Sequence, residues 1–217
     1  MIRAAAAGFR FGVMMGLVKP TQFGAAMPRI SYQSLKRSLP VVAFLGLLAG
    51  CGGVNSAQID TAVMPANVLG TNGDVDVRSL DVAATALGGP IRNNPAEAAD
   101  AIAALDYMGG RLSTAPRWVS VDPLVQDQLL QARVIMRRYV GISQTAPSQS
   151  VVDTMLALGA AYRADDRAAE QTLLRNPIFT SPPEVTSTRL ANVPLIAPVN
   201  VATNHADQFP SFSTPNP

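Results

Sequence analysis

The chain has 217 residues, with 17 basic and 15 acidic side chains, one cysteine and one histidine. Six of the basic residues and none of the acids precede position 51, so the rest carries 11 arginines against 15 acids, a formal charge of −4 (11 − 15). Nucleic-acid binding needs a basic patch on the folded domain, whereas disulfides, four-cysteine zinc sites and most catalytic triads need more cysteine or histidine. The composition therefore argues against nucleic-acid binding and excludes intrachain disulfides, four-cysteine zinc sites and most catalytic triads.

Residues 1–50 are predicted to be a leader. Arg29, Lys36 and Arg37 precede an apolar run that begins at Leu39. The run is too short to cross a membrane, which takes about 20 residues of helix, and a positive flank before a short apolar core is typical of a signal peptide. The pattern fits best with Met27 as the true start. The alternative is a longer charged region from residue 1, and it gives the same mature product.

The leader ends in Leu48-Ala49-Gly50-Cys51, which resembles the lipobox of bacterial lipoproteins. The resemblance implies that Cys51 receives a diacylglycerol, that the chain is cut before Cys51 and that the new amino terminus is acylated, for example with palmitate. Two or more acyl chains anchor a protein stably, whereas one holds only marginally. Because Gly52, not aspartate, follows the cysteine, the resemblance favours the outer over the inner membrane, facing the periplasm. The alternative is a free buried cysteine after an uncleaved apolar helix.

Residues 51–68 are small and polar and are predicted to be a tether, and residues 69–176 a helical domain. A turn after Leu69 leads into a first helix that should end at Gly88-Gly89-Pro90. Four further helix starts combine a capping side chain or a proline with an apolar stripe; they lie at Asn94-Pro95, Asp122-Pro123, Pro147-Ser148 and Asp165-Asp166. Gly109-Gly110 should weaken the end of the second helix, and Gly141 should close the third.

Residues 177–217 contain eight prolines and are predicted to be an irregular tail. The middle, 190–202, is apolar enough to lie on the bundle, and the end from about Asn204 is predicted to be disordered. The fold class is therefore all-α: a small bundle of four to five short helices with a proline-rich irregular tail.

The first candidate site is a calcium-binding loop. With Asn72, Asp74 and Asp81 at three ligand positions, 70–81 partly follows such a loop, but Gly70 and Val75 occupy positions that need an oxygen ligand and a glycine. An ordinary turn into a helix is the better interpretation.

The other charged or aromatic groups also favour structural roles. His205 is predicted to be solvated or lightly packed, and Asp165, Asp166 and Glu170 to cap a helix. Arg133, Arg137 and Arg138 should form a solvated basic edge. Arg137 could instead pair with an acid on a neighbouring helix, or contact anionic lipid or a partner. Trp118, beside Arg117, should plug the end of the bundle, the alternative being an exposed anchor for a partner.

No catalytic residue, cofactor or metal site is predicted. We expect a non-enzymatic structural or interaction module of the envelope, bound to membrane lipid through Cys51 and to an envelope protein. The alternative is a periplasmic binding module for an apolar ligand. An interaction module should show an exposed apolar patch near Trp118 or 190–202, whereas a ligand carrier should show an enclosed apolar pocket.

Overall fold

The structure, a computed structural model, describes residues 59–71 and 73–213, with side chains up to Phe209. Seven α-helices form in these residues: α1 Val75–Leu87, α2 Pro95–Thr114, α3 Pro123–Val140, α4 Ser148–Arg163, α5 Arg167–Leu173, α6 Pro183–Ala191 and α7 Ala197–Ser213. A 3-10 turn covers Pro116–Trp118, and two short antiparallel strands, β1 Ile91–Arg92 and β2 Asn192–Val193, pair with Ile91 opposite Val193. The predicted all-α class is confirmed, with seven helices instead of four to five.

The predicted helix starts are confirmed; α4 begins at Ser148 with no side-chain cap, and the other starts have capping groups that act locally. The side chains of Asp74, Asn94, Asp122 and Asp166 each accept a hydrogen bond from a backbone N–H in the first turn of the helix that follows. Gly141 ends α3 with a left-handed φ of 83°, a conformation that glycine adopts without steric cost.

Helix α2 is the centre of the bundle. All residues from 101 to 110 are buried, and α1, α3, α4 and α6 contact this helix. The alanine and glycine residues in this run are small and let the neighbouring helices approach closely. Helix α2 continues through Gly109-Gly110 to Thr114 and so includes Leu112.

The predicted irregular tail is wrong over α6 and α7. Proline does not prevent either helix from starting, because Pro183 is the first residue of α6 and Pro198 the second residue of α7, where no intrahelical N–H bond is lost. The expected disorder after Asn204 is likewise wrong up to Ser213. Packing of 190–202 on the bundle is confirmed, since Leu190, Val193, Val199 and Ala202 are buried.

The segment from Asp60 to Met64, inside the predicted tether, is packed on the bundle. The Asp60 carboxylate accepts a hydrogen bond from the Ser148 backbone N–H at 2.5 Å. The backbone N–H of Val63 donates to the Gln149 side chain at 2.7 Å, and Gln149 donates back to the Val63 carbonyl at 3.2 Å. Met64 is buried. We call residues 59–64 the entry segment.

Gly110 makes room for the entry segment. A Cβ at this position would lie 1.9 Å from the Asp60 carbonyl oxygen. We therefore expect Gly110→Ala to detach the entry segment and to lower the free energy of unfolding by about 1–3 kcal/mol, the usual cost of overpacking. Hydrogen exchange at Val63 should become faster. Gly89→Ala is the control, because a Cβ there has no neighbour within 4 Å; equal exchange at Val63 in both variants would contradict this role of Gly110.

Candidate functional site

An open groove of about 470 Å³ runs between α3 and α7. Its walls are mostly apolar, and Asp127 is the ionisable side chain among the lining residues: Leu124, Asp127, Gln128, Gln131, Ala132, Ile135, Ala197, Pro198 and Val201. We call it the α3–α7 groove. The two helices run antiparallel. Gln128, in the first half of α3, contacts His205 in the second half of α7, whereas Tyr139, at the end of α3, contacts Asn192, five residues before α7 begins.

The groove exists because α3 has two apolar faces. The predicted stripe is confirmed as buried at Val125, Leu129 and Met136. Leu124 and Ile135 lie on a different face of the same helix. They are eleven residues apart, slightly more than three full turns, which places both in line. This spacing is the sequence signal for the groove, and it lies outside the single core-facing stripe predicted for α3.

Large apolar side chains of the groove are exposed. Leu124 is 61% and Val201 44% exposed. Leu195, just before α7, and Val119, just before α3, are also exposed. The groove includes Ala197, Pro198 and Val201 of the 190–202 region, one of the two places where an exposed apolar patch was expected.

His205 is on α7 beside the groove. Its Nδ1 lies 3.0 Å from Oε1 of Gln128, and the side chain is exposed. The prediction of a solvated histidine is confirmed, although it stands on a helix and not in a disordered tail.

The predicted basic edge of α3 is wrong for two of its three arginines. Arg133 and Arg137 are only 3% and 4% exposed, whereas Arg138 is exposed. Arg137 forms a bidentate ion pair with Asp106 of α2, both contacts measuring 2.6 Å. It also donates to Ser148 at 3.0 Å. The alternative interpretation, pairing with an acid on a neighbouring helix, is confirmed.

Trp118 is a plug, as predicted, and not an exposed anchor. It is buried, and its Nε1 donates to the Asp76 carboxylate at 3.0 Å. Tyr107 donates its hydroxyl proton to the same carboxylate, and Arg111 contacts it at 3.2 Å. Arg117 covers the Trp118 ring with its guanidinium carbon 4.7 Å from the centroid.

The partial calcium loop forms a turn into α1. Asp74 caps the helix and pairs with Arg117. Burial raises the pKa of Asp74, but the hydrogen bond and charge of Arg117 and the backbone N–H groups of Val77 and Asp76 together lower it below its usual value. Asp81 pairs with Arg78 at 3.5 Å, and Asn72 lies outside the described residues. Among residues 59–71 and 73–213, no group of three His, Cys, Asp or Glu side chains could hold a metal ion.

A second depression of about 470 Å³ lies beside α1, α2 and the end of α4. Charged side chains form part of its lining, and one of them, Asp100, pairs with Arg163. Burial raises the pKa of Asp100 and Arg163 opposes the shift. The charges of this depression are thus partly satisfied within the chain.

Of the acids at the start of α5, Asp166 has the predicted capping role, whereas Asp165 and Glu170 accept from side chains. The Asp166 side chain accepts from the Ala169 backbone N–H at 2.9 Å. Glu170, in the first turn, accepts from Arg167 and Ser187 at 3.1 Å. Asp165 pairs with Arg167 at the surface.

Comparison with family models, curated proteins and solved structures finds no match to this chain. No helix in the described part of the chain is long and apolar enough to span a membrane. Cys51, the predicted lipidation site, lies outside the described residues.

Proposed function

We propose that this chain is the precursor of a bacterial lipoprotein, and that its mature domain is a non-enzymatic interaction module of the envelope. The sulfur of Cys51 carries the lipid. The domain is anchored to the outer rather than the inner membrane and faces the periplasm. The lipobox resemblance supports the anchor. The α3–α7 groove is the observation that supports the interaction role.

The partner that suits this groove is an amphipathic helix of another envelope protein. Apolar grooves between helices bind the apolar face of a partner helix through residues spaced three and four apart. The walls carry little charge, so aliphatic side chains of the partner can be buried there without desolvating ions. Asp127 offers one contact to a basic residue beside the partner's apolar stripe.

An apolar small molecule is the second candidate, and the shape of the site disfavours it. Ligand pockets bury about 70–90% of the surface of a small ligand. The depressions of about 450–470 Å³ on the described surface are open to solvent. A lipid or hydrophobic metabolite in the α3–α7 groove would remain partly in water.

Metabolic labelling with a radioactive fatty acid tests the anchor. The wild-type protein should incorporate the label, and Cys51→Ser should not, because its hydroxyl does not replace the thiol as lipid acceptor. Equal labelling of the two proteins would overturn the proposal.

Photocrosslinking in intact cells tests the groove. A benzoylphenylalanine at the exposed position 131, in the groove, should give one discrete protein adduct. Val201→Asp should remove this adduct, since it places a carboxylate in the apolar wall, whereas Val185→Asp should not, since Val185 is similarly exposed on α6. An adduct that survives Val201→Asp would contradict binding in the groove, and an adduct with the mass of a lipid would favour the second candidate.

A further inference from the structure

We propose that Ile59 and Val63 form an apolar ridge that lies on the bilayer surface, so that the α3–α7 groove opens away from the membrane. This inference rests on the proposed lipidation of Cys51 and adds to it the orientation of the domain.

The ridge is visible in the alternating burial of the entry segment. Ile59, Thr61 and Val63 are exposed, whereas the residues between them are half-buried and Met64 is buried. Side chains that alternate in this way lie on opposite faces of an extended segment. Val63 is 73% and Ile59 57% exposed, so one face of the segment presents two aliphatic side chains to the surroundings.

The ridge is fixed to the bundle. Both backbone polar groups of Val63 are bonded to the Gln149 side chain, and the Asp60 carboxylate is bonded to the Ser148 N–H. Arg133 adds a hydrogen bond to the Asp60 carbonyl at 3.1 Å. The entry segment is therefore held against α3 and α4, and tension in the chain before Ile59 acts on the whole domain.

The length of the chain between anchor and ridge limits the orientations. Cys51 and Ile59 are eight residues apart, so even a fully extended chain spans at most about 29 Å. A folded domain of roughly 150 residues has a radius of gyration of about 15 Å, or a diameter of about 38 Å. The side of the domain opposite Ile59 therefore cannot reach the bilayer while the anchor remains inserted.

The groove opens on the side of α3 opposite the entry segment. Arg133 points toward Asp60. Gln131 and Ile135, which line the groove, are two residues before and after Arg133, or about 200° away around a helix with 3.6 residues per turn. A domain that rests on its entry segment consequently presents the groove to the periplasm.

A lipid surface is the occupant that the ridge suits. The ridge lies within reach of the anchor, and its exposed side chains are uncharged. Aliphatic side chains lose contact with water when they enter the headgroup boundary. The only ionisable side chain between Ile59 and Val63, Asp60, points into the protein, toward Ser148.

Site-specific fluorescence in vesicles tests this orientation. The one cysteine of the chain is Cys51, which the lipid blocks, so Val63→Cys and the matched control Val201→Cys each introduce a single reactive thiol. The lipidated mature protein is purified from membranes, labelled with the fluorophore NBD and reconstituted in vesicles of phosphatidylethanolamine and phosphatidylglycerol. Lipids carrying a nitroxide on the headgroup serve as quenchers.

NBD at position 63 should be quenched at least twofold and shift its emission to the blue, whereas NBD at position 201 should be almost unaffected. Equal quenching at both positions, or stronger quenching at position 201, would overturn the orientation. The mass of the purified protein separates the two proposals. A diacylated protein without quenching at position 63 would contradict this inference alone, whereas a protein without lipid would contradict the proposed function and this inference with it.

Discussion

Replacement of Arg137 by methionine is expected to lower the free energy of unfolding by about 3–5 kcal/mol, the usual cost of removing one partner of a buried ion pair. The variant leaves the carboxylate of Asp106 buried without its ion-pair partner. It also removes hydrogen bonds to the Ser148 hydroxyl and to the Ala146 carbonyl, at 3.0 and 2.8 Å. Urea unfolding of the mature chain, followed by circular dichroism, measures the loss.

The neighbouring arginine provides the control. Arg138→Met changes an exposed side chain on the same helix, and we expect a change below about 0.5 kcal/mol. The double variant Arg137→Met with Asp106→Leu should recover most of the stability, because replacing both charges by apolar groups is often neutral. A similar loss in the two single arginine variants would show that the ion pair does not stabilise the fold.

Replacement of Asp76 by alanine is expected to cost about 2–5 kcal/mol, because the indole N–H of Trp118 and the hydroxyl of Tyr107 both lose their acceptor, and each unsatisfied buried group costs about 1–3 kcal/mol. Trp118 is the only tryptophan. Its fluorescence should therefore shift to the red in Asp76→Ala before global unfolding, as water reaches the ring.

Asp81→Ala is the matched control on the same helix. Asp81 is exposed and pairs with Arg78 at the surface, and such pairs contribute little. We expect native-like tryptophan emission and a change below about 1 kcal/mol. Unchanged emission in Asp76→Ala would mean that the carboxylate does not hold the plug in place.

The local signals in the sequence predict much of the fold. A capping side chain acts on the N–H groups of its own helix, so Asn94, Asp122 and Asp166 mark helix starts without knowledge of the rest of the chain. Proline is ambiguous, since it ends helices and also occupies their first turn. The helices α6 and α7 were missed for this reason.

Tertiary contacts explain what the sequence did not predict. Arg133 and Arg137 look solvated when α3 is considered alone, because their partners lie on the entry segment, α2 and the start of α4. Asp106 was the available signal, as a single acid in the apolar run of α2 that needs a cation once it is buried. The need for glycine at position 110 is likewise explained by a tertiary contact, with Asp60, fifty residues earlier in the chain.

The candidate site was predicted only in part. An exposed apolar surface near 190–202 was expected, but the pairing of α3 with α7 depends on a helix in the proline-rich segment. Without α7, the sequence offers no element that packs beside Leu124 and Ile135. The groove could therefore be found only in the structure.

The amino-terminal peptide of the protein purified from bacterial membranes tests the central claim most directly. Mass spectrometry should find that it begins at Cys51 and carries a diacylglycerol on sulfur and a fatty acid on the amino group. An amino terminus before Cys51, or an unmodified Cys51 thiol in the membrane-derived protein, would contradict the lipoprotein assignment.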